Sequence, residues 1–262
     1  MKQIIKAFAK VNLLLNVFAK TSNQSKHQLQ SIMCLDLMHY DEIIIENSPS
    51  FAINYYQNKQ LIKIANDSIS TGIDWLKKHF STLIINYQIT VFKHIPIGAG
   101  LGGESSDCAC VLNYLLQSNN LALTEELKLD LALNVGSDVC FFLSQYQQAY
   151  VYEYGNKVIK LPDFSLNYLL ALPNTATSTK QVFTNFDQIS NFQPIFYSYN
   201  DCVQIIQNKT WNLLQNNLLL SAFAANKELA NIYQTLVKNY PTYFVYLNGS
   251  GSSFLLISKS KL

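Results

Sequence analysis

The chain contains no arginine, so all 19 of its basic side chains are lysines. Arginine is the residue that holds phosphate or carboxylate groups with two parallel N–H donors. Any anion that this protein binds must therefore be held by lysines and by backbone amides. The acidic side chains number 17 and leave a formal net charge of +2, which is too small to suggest a nucleic-acid partner.

Long apolar runs are also missing. No stretch approaches the roughly 18 consecutive apolar residues of a membrane-spanning helix. Residues 1–4 lead into an alternating segment with Lys6 and Lys10, which is not typical of a secretory leader. We therefore expect a cytoplasmic protein with no membrane partner. The length of 262 residues, with 49% hydrophobic and 14% charged residues, is enough for one or two globular domains.

Cysteine and histidine are few, and neither is spaced like a set of metal ligands. The four histidines lack ligand spacing, and the five cysteines include no C-x-x-C pair. We interpret the cysteines as reduced, mostly buried small hydrophobic residues and predict no protein metal site or disulfide framework. They are Cys34, Cys108, Cys110, Cys140 and Cys202.

Glycine is scarce as well, but four of the nine glycines fall within residues 96–107, PIGAGLGGESSD. The alternating apolar run at 85–91 predicts a strand before this stretch, and helical spacing at 108–115 predicts a helix after it. Glycines allow a ligand to approach the main chain closely, and a helix N-terminus presents N–H groups and partial positive charge. The segment therefore predicts an anion site suited to phosphate.

The residues after the last glycine refine this prediction. Ser105, Ser106 and Asp107 lie where helix N-caps belong, and the hydroxyl groups could reach a phosphate or its Mg²⁺. The stretch is not a P-loop, because Glu104 follows Gly103 where a lysine is needed, and no acidic residue lies at the position that a dinucleotide-binding motif requires. A purely structural turn is the remaining alternative.

Two further segments carry candidate chemistry. Residues 5–17 alternate between apolar and polar and place Lys10 and Asn12 side by side on one face of a strand, for which a solvated strand face is the alternative. Asp138 is the only acidic residue in the apolar run 131–143. An acid among hydrophobic residues is rarely buried without a reason, although helix N-capping is an alternative role.

The glycine stretch resembles the phosphate loop of the galactokinase–homoserine kinase–mevalonate kinase superfamily of small-molecule kinases. With gaps, the resemblance runs from about residue 6 to residue 254, and within the superfamily it is closest to the kinases of 4-diphosphocytidyl-2-C-methyl-D-erythritol. It implies an α+β, two-domain kinase fold with the active site in the cleft between the domains. The expected domains are a nucleotide-binding domain at 1–153 and a domain at 154–262 that completes the substrate pocket.

Two motifs carry the catalytic residues that the resemblance implies. The sequence FAKVNL at 8–13 is similar to the family's N-terminal motif, in which Lys10 lies beside the reacting hydroxyl and Asn12 holds the diphosphate end of the substrate. The sequence GSDVCF at 136–141 resembles the family's Gly-Ala-Asp-Val-Pro-Phe, which makes Asp138 the catalytic carboxylate at the substrate. Cys140 stands where the family has proline.

The resemblance also implies the contacts to ATP and to the substrate. Lys26 stands where the family has a stacking tyrosine, Lys180 where it has proline and Glu104 where it has glycine. The substrate contacts, besides Asn12 and Asp138, are Lys26, His27, Thr179, Phe183, Gly249 and Ser250. The ATP contacts are Asn66, Lys93, Pro96, Ile97, Gly98, Ala99, Gly100, Leu101, Gly102, Gly103, Glu104, Ser105 and Ser106.

The activity implied is ATP-dependent and Mg²⁺-assisted phosphorylation of the 2-hydroxyl of 4-diphosphocytidyl-2-C-methyl-D-erythritol, in non-mevalonate isoprenoid precursor biosynthesis. Asp138 would accept the hydroxyl proton, and Lys10 would stabilise the developing charge. The expected partner is a small molecule with a cytidine diphosphate group, and the expected assembly is a monomer or weak homodimer. The alternatives are a homoserine- or mevalonate-type kinase, a non-catalytic nucleotide sensor and a purely structural domain.

Overall fold

The computed structural model describes residues 2–64, 67–189 and 195–260. Within these ranges the chain forms two β-sheets and eight α-helices. Asn66, which the resemblance places among the ATP contacts, lies outside the described residues. Among the described residues, no helix is long and apolar enough to cross a membrane.

The larger sheet holds seven strands from the first 160 residues. They are β1 (Lys2–Val17), β2 (Leu29–Asn47), β3 (Ala52–Gln57), β4 (Gln60–Ile62), β5 (Tyr87–Lys93), β6 (Gln148–Glu153) and β7 (Lys157–Lys160). Their order is β4-β3-β5-β2-β6-β7, and β1 pairs with β2 off this path. Only β3 and β5 pair in parallel.

The smaller sheet holds three strands in the order β8-β10-β9, with β8 (Tyr168–Ala171), β9 (Tyr243–Leu247) and β10 (Phe254–Ser258). Helices α1 (Ser68–His79), α2 (Gly103–Ser118), α3 (Glu125–Asn134) and α4 (Val139–Leu143) belong to the first part of the chain. Helices α5 (Thr179–Ile189), α6 (Tyr199–Gln207), α7 (Leu219–Ala225) and α8 (Glu228–Asn239) follow it.

Gly155 lies in the turn of a hairpin, since β6 and β7 pair antiparallel on its two sides. The larger sheet therefore continues beyond residue 153 and ends with β7. The division into domains at 1–153 and 154–262 stays a prediction.

Strand β1 is present as predicted, but its simple alternation breaks down in the middle. The β1–β2 register shifts between Phe8 and Ala9 and again between Asn12 and Leu14. A bulge places extra residues on one strand and re-aims the side chains beyond it. From Ala9 to the end of the strand every residue is buried, because apolar side chains of the smaller sheet cover this half as well. Lys10 and Asn12 consequently lie inside the protein and not on a solvated face.

A buried ion cluster connects the strands to helix α2. The Lys93 ammonium, at the end of β5, pairs with Asp107 Oδ2 at 2.6 Å and also with Asp41 of β2. Asp41 also accepts hydrogen bonds from the backbone N–H groups of His94 and Ile95. Asp107 Oδ1, by contrast, has no hydrogen-bond partner. Burial raises the pKa of Asp107 to about 8.

We expect the protonation of Asp107 to make stability pH-dependent. Below the ordinary value near 3.8, folded and unfolded chains both hold the proton; between that value and about 8, only the folded chain retains it, so stability falls as the pH rises. The Asp107→Asn variant removes this titration, and its free energy of unfolding in urea should fall less over this pH range than that of the wild type. The exposed carboxylate of Asp74 provides a control, because Asp74→Asn should retain the wild-type slope. An unchanged slope in Asp107→Asn would contradict the assignment.

Candidate active site

The glycine stretch connects β5 to α2, as the sequence predicted, and it folds as a tight loop. Gly98, Gly100 and Gly102 have φ angles of 72°, 76° and 70°, a conformation that side chains rarely adopt. The loop is bonded to both ends of the chain. Lys10 N donates to Leu101 O at 2.9 Å, and Ser253 N donates to Ala99 O at 3.1 Å.

Close packing requires glycine at two of these positions. A Cβ atom at Gly100 would lie 2.3 Å from the carbonyl oxygen of Asn248, and one at Gly102 would lie 3.0 Å from Lys10 Cε. The loop therefore contacts the Gly-Ser-Gly segment at residues 249–251 and its neighbour Asn248 on one side, and Lys10 on the other. A side chain at Gly100 would force these segments apart.

Helix α2 begins at the end of this loop. Its N-cap is Gly102, which offers no side-chain hydrogen bond, so no side chain covers the N–H groups of the first turn. The helix has 16 residues, and its partial positive charge therefore faces the loop. A helix start of this kind can bind an anion, so the predicted phosphate site stays a prediction that this geometry permits.

The predicted capping roles of Ser105, Ser106 and Asp107 are wrong, because these residues lie inside the first helical turns. The helix starts earlier since Gly102 adopts the left-handed conformation and ends the loop there. Ser106 Oγ donates to Phe8 O at 2.7 Å and anchors β1. The Glu104 side chain is exposed, while its backbone oxygen accepts a hydrogen bond from Ser68 Oγ at 2.6 Å.

Lys10 lies where three predicted motifs meet. The residue is only 3% exposed, and Nζ donates to Asn12 Oδ1 at 2.5 Å and to Gly100 O at 2.9 Å. Nζ also lies 3.5 Å from Asp138 Oδ2. One ammonium group thus connects the strand, the glycine loop and the carboxylate.

Asp138 occupies the N-cap position of α4, but its side chain makes no capping hydrogen bond. The capping alternative therefore does not explain this acid. Its side chain is 27% exposed, faces the Lys10 ammonium and lies on the wall of a cavity. A carboxylate with a nearby cation and open access can accept a proton from a bound hydroxyl group.

Asn248, which the sequence reasoning did not assign, fixes the geometry around Lys10. Asn248 is fully buried; its Oδ1 accepts from the backbone N of Asn12 at 2.8 Å, and its Nδ2 donates to Gly100 O at 3.2 Å. Asn12 Nδ2 in turn donates to Ser31 Oγ at 2.8 Å. The one sequence signal for Asn248 is its position next to the Gly-Ser-Gly segment.

A second group of predicted residues lies together around His27. The His27 ring is 5.3 Å from the Phe183 ring, and its Nδ1 lies 2.8 Å from Phe18 O. Lys26 Nζ donates to Ala132 O at 3.0 Å, and burial lowers the pKa of this lysine. The hydroxyl groups of Thr179 and Ser250 are 2.9 Å apart and link α5 to the loop between β9 and β10.

One cavity of about 730 Å³ joins these two groups. Its wall includes every predicted site residue that the structure describes except Ser106, whose hydroxyl is directed to β1. Lys93 borders the cavity, but its ammonium is held by Asp41 and Asp107. Sequence reasoning missed Lys20 and Asp187, which also line the cavity and form an ion pair at 3.0 Å. The cavity is large enough for a small-molecule ligand and has the uncapped start of α2, an ammonium and a carboxylate on its wall.

Comparison with known proteins agrees with this arrangement. Residues 67–146 match the description "GHMP kinases N terminal domain". The chain is 30% identical over 257 residues to a 4-diphosphocytidyl-2-C-methyl-D-erythritol kinase of Ureaplasma parvum, with 97% of this chain and 94% of that protein covered. The enzyme of the same name from Campylobacter jejuni is 30% identical over 267 residues, with 97% of this chain and 100% of that protein covered.

A solved structure supports the fold. The crystal structure of a 4-(cytidine 5′-diphospho)-2C-methyl-D-erythritol kinase superposes with a TM-score of 0.71 at 22% identity, covering 98% of this chain and 91% of that one. The α+β kinase fold expected from the sequence is confirmed. Since the sequence similarity extends over nearly the whole of both chains, this protein belongs to the 4-diphosphocytidyl-2-C-methyl-D-erythritol kinase family.

Proposed function

We propose that this chain transfers the γ-phosphoryl group of ATP to the 2-hydroxyl of 4-diphosphocytidyl-2-C-methyl-D-erythritol, a step of non-mevalonate isoprenoid precursor biosynthesis. One observation carries the proposal. The Lys10 ammonium lies 2.9 Å from Gly100 O in the phosphate loop and 3.5 Å from the Asp138 carboxylate, within the cavity that also contains His27 and Phe183. A phosphate site, a base and a pocket for a flat ring therefore share one space.

Each of these groups has a separate role in the proposed reaction. The main-chain N–H groups at the start of α2 bind the phosphates of ATP, and the glycines allow the phosphates to approach the backbone. Asp138 accepts the proton of the attacking hydroxyl group. Lys10 stabilises the alkoxide and the charge on the transferred group, and its burial strengthens this effect because few water molecules compete.

Mg²⁺ fits the site as a companion of the nucleotide. In the described parts of the chain, no group of three or more His, Cys, Asp or Glu side chains could hold a metal ion. Mg²⁺ in phosphoryl-transfer enzymes needs only one or two protein oxygens, because phosphates and water supply the other ligands. The Ser105 hydroxyl, on the cavity wall at the start of α2, fits that role. When bound, Mg²⁺ neutralises charge on the phosphate oxygens.

The residues on the cavity wall also distinguish the proposed function from the alternative functions. A nucleotide sensor requires no base, so the contact between Lys10 and Asp138 favours an enzyme. A homoserine- or mevalonate-type kinase has no nucleobase to bind, whereas His27 and Phe183 provide an imidazole and an aromatic ring 5.3 Å apart on the cavity wall. Cytoplasmic location and a monomeric or weakly dimeric state stay predictions.

A coupled assay of ADP release tests the proposed substrate. With ATP and Mg²⁺ present, we expect rapid ADP formation with 4-diphosphocytidyl-2-C-methyl-D-erythritol and little with homoserine, mevalonate or no acceptor. Acceptor-dependent release with homoserine or mevalonate alone would assign the chain to a different reaction. Nucleotide binding without any release would favour the sensor.

The role of Asp138 predicts a selective loss of turnover. The near-isosteric Asp138→Asn variant removes the proton acceptor, and kcat should fall roughly 100- to 10,000-fold. The Kd for ATP, measured by calorimetry, should stay close to the wild-type value. Asp163→Asn is the control, since this carboxylate is 81% exposed and lies outside the cavity. Retention of most activity in Asp138→Asn would exclude Asp138 as the base.

Glu104 predicts an effect on nucleotide affinity. Its exposed carboxylate borders the anion site, so Glu104→Gln should tighten ATP binding by about two- to fivefold at low salt, and less at high salt. Glu126→Gln removes a first-turn glutamate from α3, which is not part of this cavity, and should have no effect. Weaker ATP binding in Glu104→Gln would mean that the carboxylate assists the nucleotide.

A further inference from the structure

Asp187, on helix α5, is a cavity residue that neither the motifs nor the proposed mechanism uses. Its two carboxylate oxygens have different neighbours. Oδ2 lies 3.0 Å from Lys20 Nζ, whereas Oδ1 lies 3.0 Å from His27 Nε2. Lys20 therefore holds one oxygen and leaves the other beside the histidine.

The hydrogen-bonding state of His27 follows from its other neighbour. Nδ1 lies 2.8 Å from the carbonyl oxygen of Phe18, which can only accept, so Nδ1 carries the hydrogen. In the neutral ring, Nε2 is then an acceptor. Nε2 is buried and makes no hydrogen bond, although Asp187 Oδ1 lies 3.0 Å from it. When the ring is neutral, two acceptors thus lie side by side on the cavity wall, and no donor among the described residues is hydrogen-bonded to Nε2.

This pair of acceptors specifies the chemistry of a ligand. A group with N–H donors satisfies the lone pair of Nε2 and is attracted by the adjacent carboxylate, whereas a carbonyl group would face two acceptors. Phe183, whose ring is 5.3 Å from His27, offers an apolar face for a flat base. A pyrimidine with an exocyclic amino group fits this corner, and its counterpart with a carbonyl group at the same position does not.

We propose that Asp187 is a specificity-determining residue that selects the aminopyrimidine cytosine over uracil, with Oδ1 accepting from the exocyclic amino group and Lys20 holding the carboxylate in place. The proposal rests on the proposed function, because it names how that substrate's base is distinguished. It adds a carboxylate from α5 to the residues identified from the sequence.

Binding of cytidine 5′-diphosphate and uridine 5′-diphosphate tests the inference without turnover. The experiment is calorimetry in the presence of a saturating non-hydrolysable ATP analogue, so that the phosphate loop is already filled. We expect the wild type to bind the cytidine compound at least about tenfold more tightly than the uridine compound. In Asp187→Asn the preference should disappear, because an amide can turn either its oxygen or its nitrogen to the base. Asp163→Asn, outside the cavity, should retain the wild-type preference.

Kinetics separate recognition from a structural role. Because Asp187 contacts the ligand's base and not the reacting hydroxyl, Asp187→Asn should raise KM about tenfold and leave kcat within about twofold. Lys20→Met should reduce the preference for the cytidine compound less than Asp187→Asn does. A parallel loss of affinity for both diphosphates in Asp187→Asn would indicate a general structural role and overturn the inference.

The remaining outcomes distinguish this inference from the proposed function. Equal affinities in the wild type, or an unchanged preference in Asp187→Asn, would overturn the role of Asp187, while kinase activity would still support the proposed function. Loss of the preference in Asp187→Asn, in a protein that does not phosphorylate the diphosphocytidyl substrate, would support the role of Asp187 and contradict the proposed function.

Discussion

The active site depends on the enclosure of one ammonium group. Lys10 is almost completely buried, and its charge is compensated by two neutral oxygens and one carboxylate from three different segments. A buried lysine is costly unless such partners surround it. The contacts that satisfy Lys10 are therefore also the contacts that the proposed reaction needs. In a chain without arginine, we propose that this lysine ammonium and the backbone N–H groups at the start of α2 together stabilise the charge of the transferred group.

A second buried lysine stabilises the elements on either side of the glycine loop. Lys93 joins the strand before the glycine loop to the helix after it, through Asp41 and Asp107. Its partners hold both ends of the loop, while the loop itself contacts Lys10 and Asn248. The two lysines thus have separate tasks: one faces the cavity, and the other fixes the elements that shape it. Sequence similarity alone assigned both of them to the nucleotide or the substrate.

Local patterns in the sequence were sufficient for the elements and for the main motifs. Alternation predicted β1 and β5, helical spacing predicted α2, and an isolated acid in an apolar run made Asp138 a candidate. The errors come from contacts between distant residues. The register shifts in β1 depend on β2, and the early start of α2 depends on the conformation of Gly102. No pattern near Lys93 indicates the two carboxylates that approach it from other elements.

Asn248 and Asp187 could not be identified from the sequence for the same reason. Asn248 acts through Asn12 and Gly100, which lie 236 and 148 positions away. Asp187 acquires its significance only when α5 packs beside His27. Asparagine and aspartate are common in turns and on helix surfaces, so neither residue type signals a site unless its spatial neighbours are known.

The hydrogen bonds that join the glycine loop to Lys10 and Asn248 also affect how the chain folds during synthesis. Lys10 precedes Gly100 by 90 residues, and Asn248 follows it by 148 residues. A nascent polypeptide that has emerged from the ribosome only as far as the loop lacks Asn248, which contacts Gly100. Its proposed nucleotide pocket is therefore incomplete. Contacts of such long sequence separation form late and slowly. ATP would then bind only chains in which Asn248 has reached the loop, and by mass action it would favour the fully folded state.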